Sequence, residues 1–405
     1  MDARARARAV ARAVRVRRRL RALRTEMPAP AAAPRRVLVG PANSAGQSTA
    51  WARALDEHAA GTSAQSYDFA RPGHPYVGDL QVDHATYVDD ATWAAAFGRL
   101  LRERYTHVVI ESNLGVVGKA GRGGARRDAD ALRAAGLGVV LLAHGSDVRL
   151  PSRNVRLERW SPFEVMPPER VRTMEGRAGR SGKVLRRYDG PVLVSTPDLL
   201  DDLPDATWCP VVVRPDDWAA TDPPLQREVP VVVHAPSRSV MKGSQHVDPV
   251  LEALAVEGLV EYRRVEGVAP GDMPALYRSA DVVVDQMSVG IYGVAVCEAL
   301  AAGRVVVSHV RDVVRTRVRE ATGRTLPVVE ADPESLRVVL LDLLADRDAA
   351  RATAAHGPAF ARAVHDGRRS VEVLTAALDA SRTTPSEVSG LLRSAGSDSH
   401  RGGTP

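Results

Sequence analysis

Short apolar runs alternate with amphipathic stretches along most of this chain. The runs predict buried strands, because parallel strands covered on both faces read as near-continuous Val, Ile and Leu. The stretches between them predict helices, since their apolar positions recur every three or four residues. The predicted strands are residues 37–40, 64–69, 107–111, 138–143, 191–195, 230–234, 260–265, 281–285 and 304–308. The main predicted helices are residues 48–60, 91–104, 125–135, 246–256, 272–279, 293–302, 333–345 and 347–380.

The alternation of strand and helix runs through two successive halves of the chain. It predicts an α/β fold with two Rossmann-like, doubly wound domains, each with helices on both faces of a parallel sheet. The expected divisions are a basic N-terminal helix or tail with a Pro/Ala linker (1–34), a first domain (35–213), a second domain (214–360), a C-terminal helix (361–380) and a disordered tail rich in Ser, Gly and Thr (381–405).

The bulk composition is that of an ordinary globular protein, with 44% hydrophobic and 26% charged residues. Two cysteines, Cys209 and Cys297, argue against a disulfide framework and fit a reducing compartment. No apolar run approaches the ~18 residues that span a bilayer, and the N-terminus lacks the apolar region of a secretory signal. We therefore expect a cytoplasmic protein.

The net charge of +6 comes from the N-terminus. Residues 1–26 hold ten Arg against two acidic residues, so the rest of the chain is slightly acidic. Val16, Leu20 and Leu23 share one face of a predicted helix. Residues 1–24 are open to three interpretations: a disordered or frayed tail, peripheral contact with an anionic membrane, or nucleic-acid binding. Nucleic acid is not expected, because the segment lacks aromatic residues that stack on bases.

Basic residues and a glycine follow the predicted strand 230–234. Arg238 and Lys242 are cations that would stabilise a diphosphate, and Gly243 would let the backbone approach it. Lysine is rare here, with three residues against 52 Arg, and its compact charge differs from the guanidinium that the chain otherwise uses. The alternative is a loop with two solvated charges.

A second motif, residues 290–298, joins the predicted strand 281–285 to a helix. Backbone N–H groups of Tyr292, Gly293 and Val294 would meet phosphate at the positive end of that helix. Glu298 lies about one turn further on and would accept hydrogen bonds from ribose hydroxyls. Asp285 ends the preceding strand at the same edge. The alternative is a buried helix whose Glu is paired, preceded by a simple turn.

Four further candidates follow other predicted strands: Asn43 and Gly46 after the first strand, His144 after strand 138–143, and Val268 after strand 260–265. Ligands of doubly wound sheets bind beyond the carboxyl ends of the strands, so all four are expected at the site. Each also fits an ordinary turn at the end of a strand.

The segment from Arg238 to Glu298 resembles the retaining glycosyltransferases of family four. The resemblance covers roughly residues 230–310, with a weaker echo over 35–215. It implies the GT-B fold, in which two Rossmann-like domains face a central cleft: the first binds the acceptor, and the second binds a nucleotide-diphospho-sugar donor. It also implies a metal-independent reaction without a cofactor. Catalytic roles would fall to His144, Arg238 and Lys242, with the nucleobase held by backbone groups near Val268.

One departure from that family concerns its Glu-x7-Glu motif. Glu298 matches the second Glu, but Gly290 stands where the first is expected. We expect a glycosyltransferase of cell-envelope glycan or glycolipid synthesis, whose acceptor is a glycan, a lipid or a small molecule. Asp285 would hold hydroxyls of the donor sugar in place of the missing Glu. The alternatives are a non-catalytic relative that only binds, which Gly290 motivates, and a nucleotide-sugar epimerase or hydrolase, which would need no acceptor.

Overall fold

The computed structural model describes residues 3–120 and 124–382, with side chains from residue 5 onward. From residue 383 on, the predicted disordered tail lies outside the described residues. Within the described ranges, no helix combines the length and the apolar character that crossing a bilayer requires.

Twelve strands form within these ranges, most of them at the predicted apolar runs. They are β1 (Arg35–Gly40), β2 (Thr62–Phe69), β3 (Leu80–Val82), β4 (His107–Glu111), β5 (Gly138–Ala143), β6 (Val192–Val194), β7 (Thr207–Trp208), β8 (Val231–His234), β9 (Glu261–Arg264), β10 (Val282–Val284), β11 (Val305–Ser308) and β12 (Val329–Glu330).

The α-helices of the described residues connect and cover these strands. They are α1 (Ala3–Glu26), α2 (Gln47–His58), α3 (His84–Asp89), α4 (Ala91–Arg104), α5 (Ala125–Arg133), α6 (Gly145–Val148), α7 (Pro151–Leu157), α8 (Pro162–Val165), α9 (Pro168–Arg186), α10 (Pro215–Trp218), α11 (Ser239–Lys242), α12 (Ser244–Val256), α13 (Met273–Ser279), α14 (Val294–Ala301), α15 (Asp312–Thr322), α16 (Leu336–Ala345), α17 (Arg347–Val364) and α18 (Arg368–Ala380). Short 3-10 helices occupy Ser44–Gly46 and Pro197–Asp201.

The strands form two sheets in which every pairing is parallel. The first has the order β3-β2-β1-β4-β5-β6-β7, and the second the order β12-β11-β10-β8-β9. The first order is that of a Rossmann sheet with one added edge strand, and the second is the flavodoxin-like order. The predicted α/β class with two Rossmann-like domains is therefore confirmed.

In the first sheet, alternate residues of the central strands belong to different hydrophobic cores. In β1, Leu38 belongs to the core on one face, while Val37 and Val39 belong to the core on the other. The same division separates Val108 from Val109 in β4. Both faces of a strand must then be apolar, which explains the continuous hydrophobic runs.

Helix α1 is docked over its C-terminal half. Val16, Leu20 and Leu23 are buried in the first core, and the helix packs against α4. The interpretation of a disordered tail is therefore wrong for residues 16–26, because the shared apolar face is covered. Residues 5–15, by contrast, are exposed along their whole length.

The chain crosses between the domains twice, at residues 209–214 and 364–368. The two crossings touch: the N–H of Val213 donates to the carbonyl of His365 at 2.8 Å, and His365 Nδ1 lies 2.8 Å from the carbonyl oxygen of Val211. The long helix predicted for 347–380 is broken here by Gly367, whose φ of +104° favours glycine. The break lets α18 return to the core of the first sheet.

Candidate functional site

The two motifs of the second domain meet at the carboxyl end of its sheet. Lys242, the last residue of α11, places Nζ 2.5 Å from Oδ1 of Asp285, which directly follows β10. The adjoining Gly243 has a φ of +73°, and a Cβ there would collide with Ser288. A bare backbone is therefore required where the two loops pass each other.

Glu298 lies in the second turn of α14. Among the described residues, none donates a hydrogen bond to its carboxylate. The pKa of Glu298 is raised to about 8: burial is the largest cause, the charge of Lys242 acts against it, and the charge of Asp285 adds a smaller increase. In the first domain, burial raises the pKa of the Tyr76 phenol, and the charge of Glu298 raises it as well. The two side chains are therefore near enough for their charges to interact. The carboxyl group is thus partly dehydrated and available for a hydrogen bond.

Polar groups around Lys242 and Asp285 also lack partners within the described residues. Oδ2 of Asp285 and Oγ of Ser288 are buried without a hydrogen bond. No side chain caps the first turn of α14, which begins after Gly293, so its N–H groups present partial positive charge. Buried polar atoms in native proteins normally have partners. These two atoms beside Lys242 make the edge of the second sheet a candidate ligand site.

The remaining candidates of the second domain lie around this edge. Arg238 is exposed at the start of α11, and its guanidinium takes part in none of the hydrogen bonds or ion pairs within the described ranges. Val268 is half-buried beyond β9. Tyr292 differs, because its side chain is buried in the core, with Oη 3.4 Å from Nε2 of His365. It can face a ligand only through its backbone.

The polar cluster of the first domain is built on Glu111, the last residue of β4. One carboxylate oxygen accepts the N–H groups of Ala42 and Asn43, both at 3.1 Å, and the hydroxyl of Ser48. The other lies 3.0 Å from Nε2 of His144. Burial acts to raise the pKa of Glu111, but the hydrogen bonds from His144 and Ser48 hold it below its usual value.

His144 is part of this cluster rather than a free side chain. Its Nδ1 lies 3.2 Å from Oγ of Ser195, and its ring stacks on Trp51 with centroids 5.8 Å apart. Burial acts to lower the pKa of His144, but the hydrogen bond and charge of Glu111 raise it. Both ring nitrogens therefore have protein partners. The predicted contact of His144 with a sugar stays a prediction.

The loop after β1 brings the other two candidates of the first domain together. Asn43 is fully buried in the left-handed conformation, with a φ of 45°, and its Oδ1 accepts the N–H of Thr49 at 3.3 Å. Gly46 lies under the ring of Tyr76, where a Cβ would stand 2.9 Å from Cδ1. The loop thus packs against Tyr76, whose phenol is influenced by the charge of Glu298.

Three important residues escaped the sequence analysis. Glu111 ends a buried apolar strand, a signal that resembles the one used for His144. Tyr76 and Glu158 come from loops of the first domain without a motif. Glu158 reaches His309 in the second domain, with Oε2 2.7 Å from Nε2. A loop of the first domain therefore contacts the edge of the second sheet, and the candidate site has residues of both domains around it.

No protein-family model matches this sequence, and neither does any curated protein. Several solved structures are nevertheless similar in three dimensions. Sucrose-phosphate synthase of Thermosynechococcus elongatus superposes with a TM-score of 0.53 at 14% identity, covering 89% of this chain and 99% of the other. HepE of Anabaena, in complex with UDP and glucose, gives 0.52 at 12% identity, covering 85% and 99%. A glycosyltransferase of Rickettsia africae gives 0.53 at 10% identity, covering 86% and 99%.

At such identities the comparisons establish the fold alone. The similarity covers most of this chain, including both of the parallel sheets described above. The chain has the GT-B fold, with two Rossmann-like domains facing a central cleft.

Proposed function

We propose that this protein is a glycosyltransferase that moves a sugar from a nucleotide-diphospho-sugar to an acceptor hydroxyl. One observation carries the proposal. Lys242, Asp285 and Glu298 meet beside the uncapped start of α14, at the carboxyl end of a doubly wound sheet, with polar atoms that lack partners in the described chain. Doubly wound sheets bind nucleotides at this edge.

Each group has a role that suits one part of such a donor. Arg238, Lys242 and the first turn of α14 bind the diphosphate, and Gly243 lets the backbone approach it. Glu298 accepts hydrogen bonds from the ribose hydroxyls. The nucleobase lies beyond β9, near Val268. Because HepE was solved with UDP and glucose, UDP is the first nucleotide to test.

The reaction is proposed to retain the anomeric configuration and to need no metal. The acceptor hydroxyl attacks the anomeric carbon from the face that the diphosphate leaves, so the bond to the leaving oxygen breaks as the new bond forms. That leaving oxygen takes the acceptor proton. Negative charge grows on the diphosphate, and Arg238, Lys242 and the helix start stabilise it, each by about 3 kcal/mol, or roughly 10²–10³-fold in rate.

The acceptor side is assigned to the first domain. The acceptor is proposed to be a glycan, a lipid or a small molecule, bound near Tyr76 and the loop of Gly46. The proposed role is in the synthesis of cell-envelope glycan or glycolipid. In its proposed catalytic role, His144 must exchange one protein partner for a sugar hydroxyl, because both ring nitrogens are already bonded.

Peripheral contact with an anionic membrane is proposed for α1. Its docked half holds the exposed residues 5–15 away from the domain as a basic arm. Arg6, Arg8 and Arg12 form no ion pair or hydrogen bond within the described residues, and Val10 is 65% exposed. Such a surface complements anionic lipid headgroups.

The test incubates the protein with UDP-, GDP- and ADP-sugars and a panel of acceptor alcohols, in the presence of EDTA. We expect release of one nucleoside diphosphate that depends on the acceptor, and a product whose anomeric configuration by NMR equals that of the donor. Release or a changed sugar without an acceptor would indicate a hydrolase or an epimerase. Binding without release would indicate a non-catalytic protein. An inverted product would refute the retaining mechanism.

A further inference from the structure

One short segment of the first domain, residues 158–165, spans the cleft. Successive residues of this segment contact the second domain at different points, and α8, at its end, packs against α11. The contacts are Glu158 with His309, Arg159 with Glu334, and Trp160 with His246. This segment therefore lies against the loops that carry Lys242 and Asp285.

Glu158 is the buried residue among the three that make these contacts. Its side chain is 2% exposed, with Oε2 2.7 Å from Nε2 of His309 and Oε1 3.4 Å from Nε of Arg311. Burial acts to lower the pKa of His309, but hydrogen bonds to Glu158 and Glu330 raise it to about 9, so the ring is an imidazolium at neutral pH. A buried carboxylate with two cationic partners has a defined position.

That position is the space beside Gly290. A Cβ on Gly290 would stand 2.6 Å from Oε1 of Glu158 and 2.7 Å from Cγ of Arg311, closer than real Cβ atoms approach. Gly290 also has a φ of +71°, which side chains rarely adopt. The second domain thus has no side chain at residue 290, and a carboxylate of the first domain fills the space.

His309 and Arg311 connect Glu158 to the loop between β10 and α14. The N–H of His309 donates to the carbonyl of Gln286 at 2.8 Å, and the N–H of Arg311 donates to the carbonyl of Gly290 at 3.2 Å. This loop begins at Asp285 and leads into the first turn of α14. A shift of Glu158 would therefore move the groups at the sugar end of the proposed site.

We propose that Glu158 is a positioning residue for the donor sugar, which acts across the cleft through His309 and Arg311 on residues 285–293. This inference rests on the proposed nucleotide-sugar site and adds a residue to it. The diphosphate and ribose groups, Lys242 and Glu298, are not bonded to Glu158. Its effect should therefore fall on the sugar of the donor and spare the nucleotide.

The experiment compares Glu158→Gln with the wild-type protein by calorimetric titration of UDP, GDP and ADP and of their glucose esters. We expect the variant to bind the nucleoside diphosphate like the wild type and to bind its glucose ester about tenfold more weakly, the size of one charged hydrogen bond. Arg159→Ala is the matched control, because it removes an exposed cross-cleft ion pair with Glu334 without touching residues 285–293. It should change neither affinity.

Two further variants test whether the Glu158 carboxylate must fill the space beside Gly290. Gly290→Glu alone should weaken binding of the glucose ester, because its side chain meets Glu158, and adding Glu158→Gly should recover part of the loss. Unchanged binding in Gly290→Glu would overturn the inference.

The first comparison can also fail in two distinct ways. Equal losses for nucleotide and ester in Glu158→Gln would mean that Glu158 only holds the domains together, and no loss would mean that it does not position the sugar. Either result overturns the inference and leaves the proposed function standing. Failure of the wild-type protein to bind any of the three nucleotides would overturn both.

Discussion

The carboxyl ends of the two sheets carry polar clusters of opposite character. In the first domain, Glu111 is fully buried, accepts hydrogen bonds from four groups and has a lowered pKa. In the second domain, Glu298 is also dehydrated, but no described residue donates a hydrogen bond to it and its pKa is raised to about 8. Two carboxylates at equivalent edges thus have opposite electrostatic states.

The difference separates a structural cluster from the proposed binding site. Glu111 is saturated by groups of its own domain, so it holds the loop of Asn43 and the ring of His144 in place. Glu298 and Asp285 keep unused hydrogen-bonding capacity, which costs folding free energy unless a ligand supplies partners. Groups kept under that cost indicate function, whereas satisfied groups indicate structure.

The largest expected effect comes from breaking the saturated cluster. Glu111→Gln replaces an oxygen that accepts hydrogen bonds with an amide that donates them. Removal of one partner from a buried charged pair typically costs about 3–5 kcal/mol, so we expect a drop of that order in the free energy of unfolding, measured in urea. Glu103→Gln, which breaks an exposed pair with Arg24, should cost less than about 1 kcal/mol. Similar losses for both variants would contradict the structural role.

In the second domain, Lys242→Ala should lower the activity and leave the fold intact. Loss of one preorganised cation is expected to lower kcat/KM by roughly 10²–10³-fold, or about 3 kcal/mol. Sugar-transfer kinetics measure the loss, and circular dichroism checks the fold. Lys183→Ala, on an exposed position of α9, is the control and should retain full activity. An unchanged rate in Lys242→Ala would remove that residue from the mechanism.

The raised pKa of Glu298 also predicts how the stability of the protein depends on pH. Since the pKa of Glu298 in the folded protein is raised from 4.5 to about 8, its contribution to stability is complete below pH 4.5 and is lost as the pH rises through about 8. Glu298→Gln removes this titration. From pH 5 to pH 9, the free energy of unfolding of the variant should therefore rise by about 2 kcal/mol relative to that of the wild type, which is less than the full pKa shift would give. Urea unfolding at both pH values measures this, and an equal difference at the two would disprove it.

The smallest effect is expected at α1, which lies outside both clusters. Arg6→Glu and Arg8→Glu each remove one cation and add one anion, so each should weaken binding to vesicles of phosphatidylserine and phosphatidylcholine by at least about 1 kcal/mol, the contribution of one basic residue. Sedimentation with vesicles measures this, and vesicles of phosphatidylcholine alone are the control. Binding that does not depend on anionic lipid, or that survives the charge reversal, would refute the membrane contact.

The sequence predicted the central strands because burial on both faces leaves a continuous apolar run. It missed β3, β7 and β12, which have two or three residues each and leave no periodicity. It also missed α9, whose glycines and arginines obscure the helical pattern.

The candidate site was predicted only as far as its signals are local. Lys242 and Glu298 follow strands of their own domain, which placed them at one edge. Their surroundings depend on residues distant in sequence: Tyr76 approaches Glu298, and Glu158 fills the space beside Gly290. No local pattern encodes such contacts, because they arise only when the two domains meet.

The most direct test of the contrast between the clusters is calorimetric titration of the full chain with UDP, GDP and ADP. The account predicts micromolar binding of one of them, abolished in Lys242→Ala and in Glu298→Ala. No binding of any of the three, or binding that survives both substitutions, would contradict it.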